Sequence, residues 1–301
     1  MAENPILAPV VALVGWTLVM MVWLYVLRLP ALGRAIDVKN WRGGTAAQIE
    51  ALLEPRVQWP AHNYNHLLEQ PTLFYAICLA LAANGADIFF THWGVGEGDP
   101  EALLERLREA GVRAEGMELD LSIPESSETL LDAAAERLGS PAILVNNAAH
   151  SERDGYENLD AATLDAHYAV NLRATALLSV LFARRFDGEH GRIVNLTSGQ
   201  SLGPMPGELA YAATKGAIEA FTRTLAAEVG HKDITVNAVN PGPTNTGWMT
   251  GELRRYLAAK FPAGRVGEPE DAARLVAFLA SEEAAWISGQ VIHSEGGFLR
   301  D

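Results

Sequence analysis

The sequence predicts an α/β protein with a doubly wound parallel sheet, preceded by an α-helical segment of transmembrane type. Three observations carry this. Residues 6–27 hold no charged side chain. From residue 86 onward, short apolar runs alternate regularly with longer amphipathic ones, the pattern of a parallel sheet covered by helices on both faces. Between them, residues 70–90 (QPTLFYAICLALAANGADIFF) read as a membrane helix on the left and as a soluble helix entering a buried strand on the right.

The 301 residues carry a net charge of −14, with 20% charged residues. Residues 1–75 hold five basic residues (Arg28, Arg34, Lys39, Arg42, Arg56) and five acidic ones (Glu3, Asp37, Glu50, Glu54, Glu69), so the whole acidity lies after them. Such a balance argues against nucleic-acid binding, which needs a basic face. Cys78 is the one cysteine, so no internal disulfide forms, and a reducing compartment suits the chain.

The run at 6–27 is long enough for a bilayer core, which takes about 20 residues. No basic region precedes it and no small-residue cleavage site follows it, so it is not read as a signal peptide. Arg28, Arg34, Lys39 and Arg42 follow it, which puts the next segment in the cytoplasm. Further on, His62, His66 and Glu69 would share a helix face. The pattern is not H-E-x-x-H and offers no evident further ligand, so no metal site is expected. The stretch NYNHLLEQPTLFY at 63–75, with Asn63, Asn65, Glu69, Pro71 and Phe74, resembles the second helix of the MAPEG family of small four-helix membrane proteins. The resemblance covers residues 1 to about 83 and implies a glutathione or lipid site shared between subunits.

Strands are expected at 86–91, 114–120, 142–146, 192–197, 234–239 and 290–293. Helices are expected at 99–111, where Leu103, Leu104 and Leu107 keep helical spacing, and at 124–138, 163–186, 210–230 and 268–281. Tyr211 and Lys215, four apart, share one helix face. A nearby ammonium stabilises a tyrosinate, and a tyrosine so tuned exchanges protons near neutral pH. Ser198 closes the strand RIVNLT, where ligands of open α/β sheets bind. Asn171 interrupts a helix with a polar side chain that needs a partner. NNAA at 146–149 and NPGPTNT at 240–246 follow strand ends.

Asp120, NNAA, Asn171, Ser198, YAATK at 211–215, PGPTNT at 241–246 and ISGQVIHSEGG at 287–297 together resemble the short-chain dehydrogenase/reductase family across residues 86–301. The resemblance implies a Rossmann-like sheet and hydride transfer between NAD(P)H and a small-molecule carbonyl or alcohol. Tyr211 would be the acid/base, Lys215 would tune it and hold the nicotinamide ribose, Ser198 would bond the substrate oxygen, and Asn171 would anchor a water relay. Asp120 and Leu121 would border the adenine. Asn147, Ala148 and Ala149 would run along the cofactor, and Pro241, Gly242, Thr244 and Thr246 would surround the nicotinamide amide. The second family strand ends Thr91-His92-Trp93 with no acid for a ribose 2′-hydroxyl, which leans to NADP over NAD. Trp248, Met249 and Tyr256 give the expected lid, around residues 245–261, an apolar lining. The resemblance also implies a homo-oligomer packed through the Asn171 and Tyr211 helices.

The family opens with a strand and a glycine-rich phosphate loop; here the MAPEG-like segment stands in their place. GVGEG at 94–98 is crowded by Glu97, Asp99 and Glu101, so it reads as a capped surface loop rather than a phosphate loop. The family sheet order 3-2-1-4-5-6-7 makes the lost strand central. Another segment fills the slot, or the sheet splits, or the flanking strands pair directly. The expected division is residues 1–75, membrane-type, and 76–301, a truncated reductase whose chemistry needs the cytoplasm. The alternative is a membrane-anchored binding protein, or an inactive chimera of two truncated proteins.

Overall fold

The computed structural model describes residues 71–93, 99–247 and 249–300. The charge-free run at 6–27, the polar cluster Asn63, Asn65 and Glu69 with His62 and His66, the loop at 94–98 and Trp248 lie outside the described residues. The chain divides into two compact units, residues 1–71 with 94–99, and residues 72–93 with 100–301; the second holds every strand below.

Helix α1 (Pro71–Ala83) opens with a proline, which has no N–H to leave orphaned in a first turn. It ends at Asn84-Gly85, where Gly85 takes φ +84° and its N–H returns to Ala82 O at 2.8 Å. Leu73, Ala76, Ile77, Cys78, Leu81 and Ala82 are buried in one cluster with Ile88 and Phe90 of β1 (Ile88–His92) and Leu103, Leu104 and Leu107 of α2 (Pro100–Glu109). Burial pushes the Cys78 thiol up to about 12, so it is inert at neutral pH. Among the described residues, no helix is long and apolar enough to cross a membrane. Within the described residues, the ambiguous stretch is a core helix entering a buried strand.

β2 (Ala114–Glu118) pairs parallel with β1, Ile88 opposite Ala114. A second parallel sheet runs β3 (Ile143–Asn146), β4 (Gly191–Leu196), β5 (Ile234–Asn240), β6 (Val291–His293). Among the described residues the sheet is in two parts. Among the described residues no strand lies between β1 and β3. Burial records the gap: every residue of β4 and β5 is buried, whereas Ile143, Leu144 and Val145 of β3 are only half-buried.

Side chains cross the gap where, among the described residues, ladder hydrogen bonds do not. The cluster around α1 and β1 also contains Val194 and Leu196 of β4, Val239 of β5, and Ala272, Ala273, Val276 and Leu279 of α8 (Pro269–Leu279). The opposite face packs Leu131 of α3 (Ser126–Leu138), Leu178 and Phe182 of α5 (Thr175–Arg185) and Leu225 and Val229 of α6 (Leu209–Val229) against Ile193, Ile234 and Val236. Both faces are covered, as the alternating pattern requires.

Two expectations need correction. The single helix expected at 163–186 is α4 (Ala161–His167), a π-helical stretch (Tyr168–Ala174), then α5. A helix absent from the sequence reading, α7 (Gly251–Ala258), lies within the expected lid. It buries no residue, so no core-facing stripe announced it.

Candidate active site

The predicted residues gather at the carboxyl ends of β3, β4 and β5. Helix α6 supplies two of them. A carboxylate from elsewhere in the chain starts it: Asp154 accepts from Leu209 N–H at 2.6 Å and Ala210 N–H at 2.8 Å. These are orphan donors of a first helical turn, and a negative charge there suits the helix dipole. Tyr211 follows at once, half-buried. One turn on, Lys215 is 2% exposed and donates from Nζ to Leu196 O at 2.8 Å. Its Nζ lies 5.6 Å from the Tyr211 ring centroid. Burial lowers the Lys215 pKa to about 8.

Ser198 stands just past β4. Its Oγ meets Met205 Sδ at 3.8 Å, a weak contact that leaves the hydroxyl available to a ligand. Thr197 Oγ1, immediately before it, donates to Lys215 O at 3.1 Å. Strand β4 and helix α6 are therefore fastened together beside both predicted groups.

Asn171 sits inside the π-helical stretch, fully buried. Its Oδ1 accepts from His150 N–H at 2.6 Å, and its Nδ2 donates to His150 O at 2.9 Å and Thr214 Oγ1 at 3.1 Å. It holds the segment after β3, which includes Asn147, Ala148 and Ala149, and ties that segment to α6. π-Helical turns recur at functional sites because they re-aim a side chain. Asn147 and Ala149 are half-buried and Ala148 is exposed. Asn146 serves the sheet instead, donating to Asn195 Oδ1 at 2.8 Å and Ser179 Oγ at 3.0 Å.

After β5, Pro241 to Thr246 form a tight loop. Gly242 has φ +63°, and a Cβ there would lie 2.8 Å from Glu295 Cγ. Thr244 Oγ1 donates to Pro241 O at 2.9 Å, and Thr246 N–H to Thr244 O at 3.0 Å. Glu295, buried behind this loop, accepts from Asn240 Nδ2 at 2.6 Å and pairs with Arg300. Burial pushes its carboxyl up, but the bonds from Arg300 and Asn240 and the charges of Arg300 and His293 outweigh burial and leave it below the usual range.

Asp120 and Leu121 lie beyond β2, on the other side of the gap. Asp120 Oδ1 accepts from Ser122 N–H at 2.8 Å, closing a turn on itself. Arg173, from the π-helical stretch, donates to Ser122 O and so links that turn to the Asn171 neighbourhood. Asp154, Glu219 and Glu295 were not singled out in the sequence. Only Glu219 had a legible signal there, being one and two turns past Lys215 and Tyr211.

A dinucleotide of the kind the family implies can be tested against this geometry. Lys215 offers a buried ammonium beside Tyr211, and the small residues Ala148 and Ala149 after β3 leave room for a flat ring. The nicotinamide-ribose half fits these residues. The residues before α1, where a pyrophosphate loop would stand, lie outside the described residues.

A family model described as enoyl-(acyl carrier protein) reductase matches residues 73–299. A MAPEG family model matches residues 6–96, so both models claim 73–96, the stretch that reads both ways. An uncharacterized oxidoreductase of Bacillus subtilis, YjdA, is 58% identical over 228 residues, 75% of this chain and 91% of that protein. The 3-oxoacyl-[acyl-carrier-protein] reductase FabG of Pseudomonas aeruginosa is 37% identical over 235 residues, 74% of this chain and 91% of that one. Among solved structures, a blue fluorescent protein from a metagenomic library in complex with NADPH superposes with a TM-score of 0.71 at 31% identity, covering 76% of this chain and 94% of that one. Angucycline C-6 ketoreductase LanV with bound NADP gives 0.70 at 31% identity, covering 75% and 91%. The sheet, the strand-end residues and these matches agree, and the chain belongs to the short-chain dehydrogenase/reductase family of oxidoreductases.

Proposed function

We propose that residues 72–300 form an NADP(H)-dependent oxidoreductase acting on a small-molecule carbonyl or alcohol. The observation that carries this reading is the Tyr211–Lys215 pair on α6, with the lysine buried and the helix fastened to the strand that ends at Ser198. Tyr211 Oη gives a proton to the substrate oxygen in reduction and takes it in oxidation. Ser198 Oγ donates to the same oxygen and fixes its place. Lys215, an ammonium below pH 8, favours the ionised phenol beside it and holds the ribose hydroxyls. The nicotinamide, when bound, supplies or accepts the hydride. Asn171 spends its side chain on His150 and Thr214, so a water relay would leave from its main chain. Asp120 and Leu121 border the adenine, Asn147 to Ala149 line the cofactor, and Pro241, Gly242, Thr244 and Thr246 surround the carboxamide. Met205 beside Ser198, with Met249 and Tyr256 on the lid, favours a substrate with an apolar substituent.

The preference for NADP rests on β1, which ends at Thr91-His92 with no carboxylate to meet a ribose 2′-hydroxyl. The test is a fluorescence titration of the purified, detergent-solubilised full chain with NADPH and NADH against a dialysed blank. Micromolar NADPH binding, at least tenfold tighter than NADH, is expected, with Tyr211→Phe binding normally and turning over at least a hundredfold more slowly. No binding up to millimolar NADPH overturns the reading.

The MAPEG match to residues 6–96 supports a second proposal, that the N-terminal part anchors the enzyme to a membrane with its reductase part on the cytoplasmic side. The full chain should sediment with membranes and require detergent for release. Recovery in the soluble fraction at low salt would sink this.

A further inference from the structure

We infer that Glu219 is a positioning residue that sets the place of Ser198. The inference rests on the catalytic reading above. Tyr211, Lys215 and Glu219 recur at four-residue intervals, so all three face the same side of α6. Glu219 is 5% exposed. A buried carboxylate needs hydrogen-bond donors, and this one finds them in a single loop. Its Oε1 accepts from Gln200 Nε2 at 2.6 Å and from Ser201 Oγ at 3.0 Å, with Thr197 Oγ1 at 3.5 Å. Its Oε2 lies 3.8 Å from exposed Arg223.

Those donors bracket Ser198. Before it, Thr197 is tied to Lys215 O; after it, Gln200 and Ser201 are tied to Glu219. Among the described residues the Ser198 hydroxyl has only the 3.8 Å Met205 contact, so it takes its position from its neighbours. Both anchors end on the helix that carries Tyr211 and Lys215. The loop and the helix are thus one rigid unit, and the hydroxyl is held in register with the phenol by a carboxylate two turns away. A charge-assisted bond at 2.6 Å is strong enough to orient the Gln200 amide, whose Oε1 is left buried with no partner among the described residues. Displacing a substrate-positioning group by an ångström costs about a hundredfold in rate.

The experiment compares the full chain with Glu219→Ala, Glu219→Gln and Gln200→Ala. Hydrogen exchange of amides 197–201 should speed at least tenfold in Glu219→Ala and Gln200→Ala, with residues 215–229 unchanged. Glu219→Gln, which keeps an acceptor oxygen, should restore most of the protection. In turnover, Glu219→Ala should lower kcat about thirtyfold with KM for NADPH within twofold. Placed on Ser198→Ala it should have no further effect, because both changes remove the same contribution. Unchanged exchange in the loop, or a full thirtyfold effect on top of Ser198→Ala, overturns the inference. An inactive wild-type chain would overturn the catalytic reading instead, while the exchange comparison still decides whether Glu219 holds the loop. Should Glu219→Ala not fold, Gln200→Ala breaks the same bond from the half-exposed side.

Discussion

Asn171 and His150 exchange two hydrogen bonds, side chain to main chain, as if they were paired residues of adjacent strands: Oδ1 accepts from the His150 N–H and Nδ2 donates to its carbonyl. The segment after β3 gains an anchor 21 residues away in a helix.

Replacing Asn171 by leucine keeps the branching and heavy-atom count and strips both bonds, together with the one to Thr214. The main-chain groups of His150 would lose these partners in a crowded interior. A loss of about 3 kcal/mol is expected by urea denaturation. A change below about 0.5 kcal/mol would mean that these bonds do not hold the native state.

Lys215 makes stability depend on pH in a definite direction. Burial lowers its folded pKa to about 8 from an ordinary value of 10.5. Below pH 8 both folded and unfolded chains carry the ammonium, and its burial penalty is present in full. Between 8 and 10.5 the unfolded chain binds the extra proton, so this residue's contribution rises with pH and then levels off. Unfolding free energies of wild type and Lys215→Met should therefore converge by about 2 kcal/mol between pH 7.5 and 9.5. Parallel profiles would place the lysine in a wetter site than the structure gives it.

Asp154 caps a helix it does not belong to. Asp154→Ala should cost about 1.5 kcal/mol and lower Tm by about 4 °C, with loss of protection confined to the first turn of α6. Asp154→Asn, which keeps an acceptor, should recover much of this. Equal losses in both variants would assign the effect to charge rather than to the bonds.

Two glycines give a contrast. At Gly242 a Cβ would stand 2.8 Å from Glu295 Cγ and 3.2 Å from its Cα, with φ at +63°, so the loop must move. Gly242→Ala should lose about 2 kcal/mol or more and weaken NADPH binding. At Gly199 the close atom, 2.5 Å away, is Arg300 Nη2, the far end of a flexible side chain. Gly199→Ala should fold within about 1 kcal/mol of wild type by the same measurement. A reversal of that order would refute the placement of Glu295 behind the loop.

Much of this arrangement was legible in the sequence. The strands fall within two residues of their expected places, most plainly where the apolar run is short, bounded and buried on both faces, as in RIVNLT and ITVNAV. Tyr211, Lys215 and Ser198 were visible because their chemistry is bound to fixed spacing and to a strand end. The π-helical stretch was not visible: YAVNLRA satisfies ordinary helical spacing, and its extra turn width accompanies Asn171's bonds to distant main chain. Glu219 lies at helical spacing from Lys215 and Tyr211, but nothing local reveals that a loop eighteen residues earlier closes over it. Asp154 likewise carries no local mark, because its two partners lie over fifty residues on.

The division between β1 and β3 has a mechanical meaning. Within the described residues, β1 and β2 are coupled to β3–β6 and their helices by side-chain packing and by side-chain hydrogen bonds, such as those of Arg173 to Ser122 O and of Arg113 to Leu138 O, rather than by a continuous backbone ladder. Packing of that kind yields more readily than a hydrogen-bonded sheet, so β1 and β2 form a candidate unit for opening on their own. A ligand long enough to touch both sides acts as a suture: its binding free energy is added to the seam, and the seam's looseness is subtracted from its affinity.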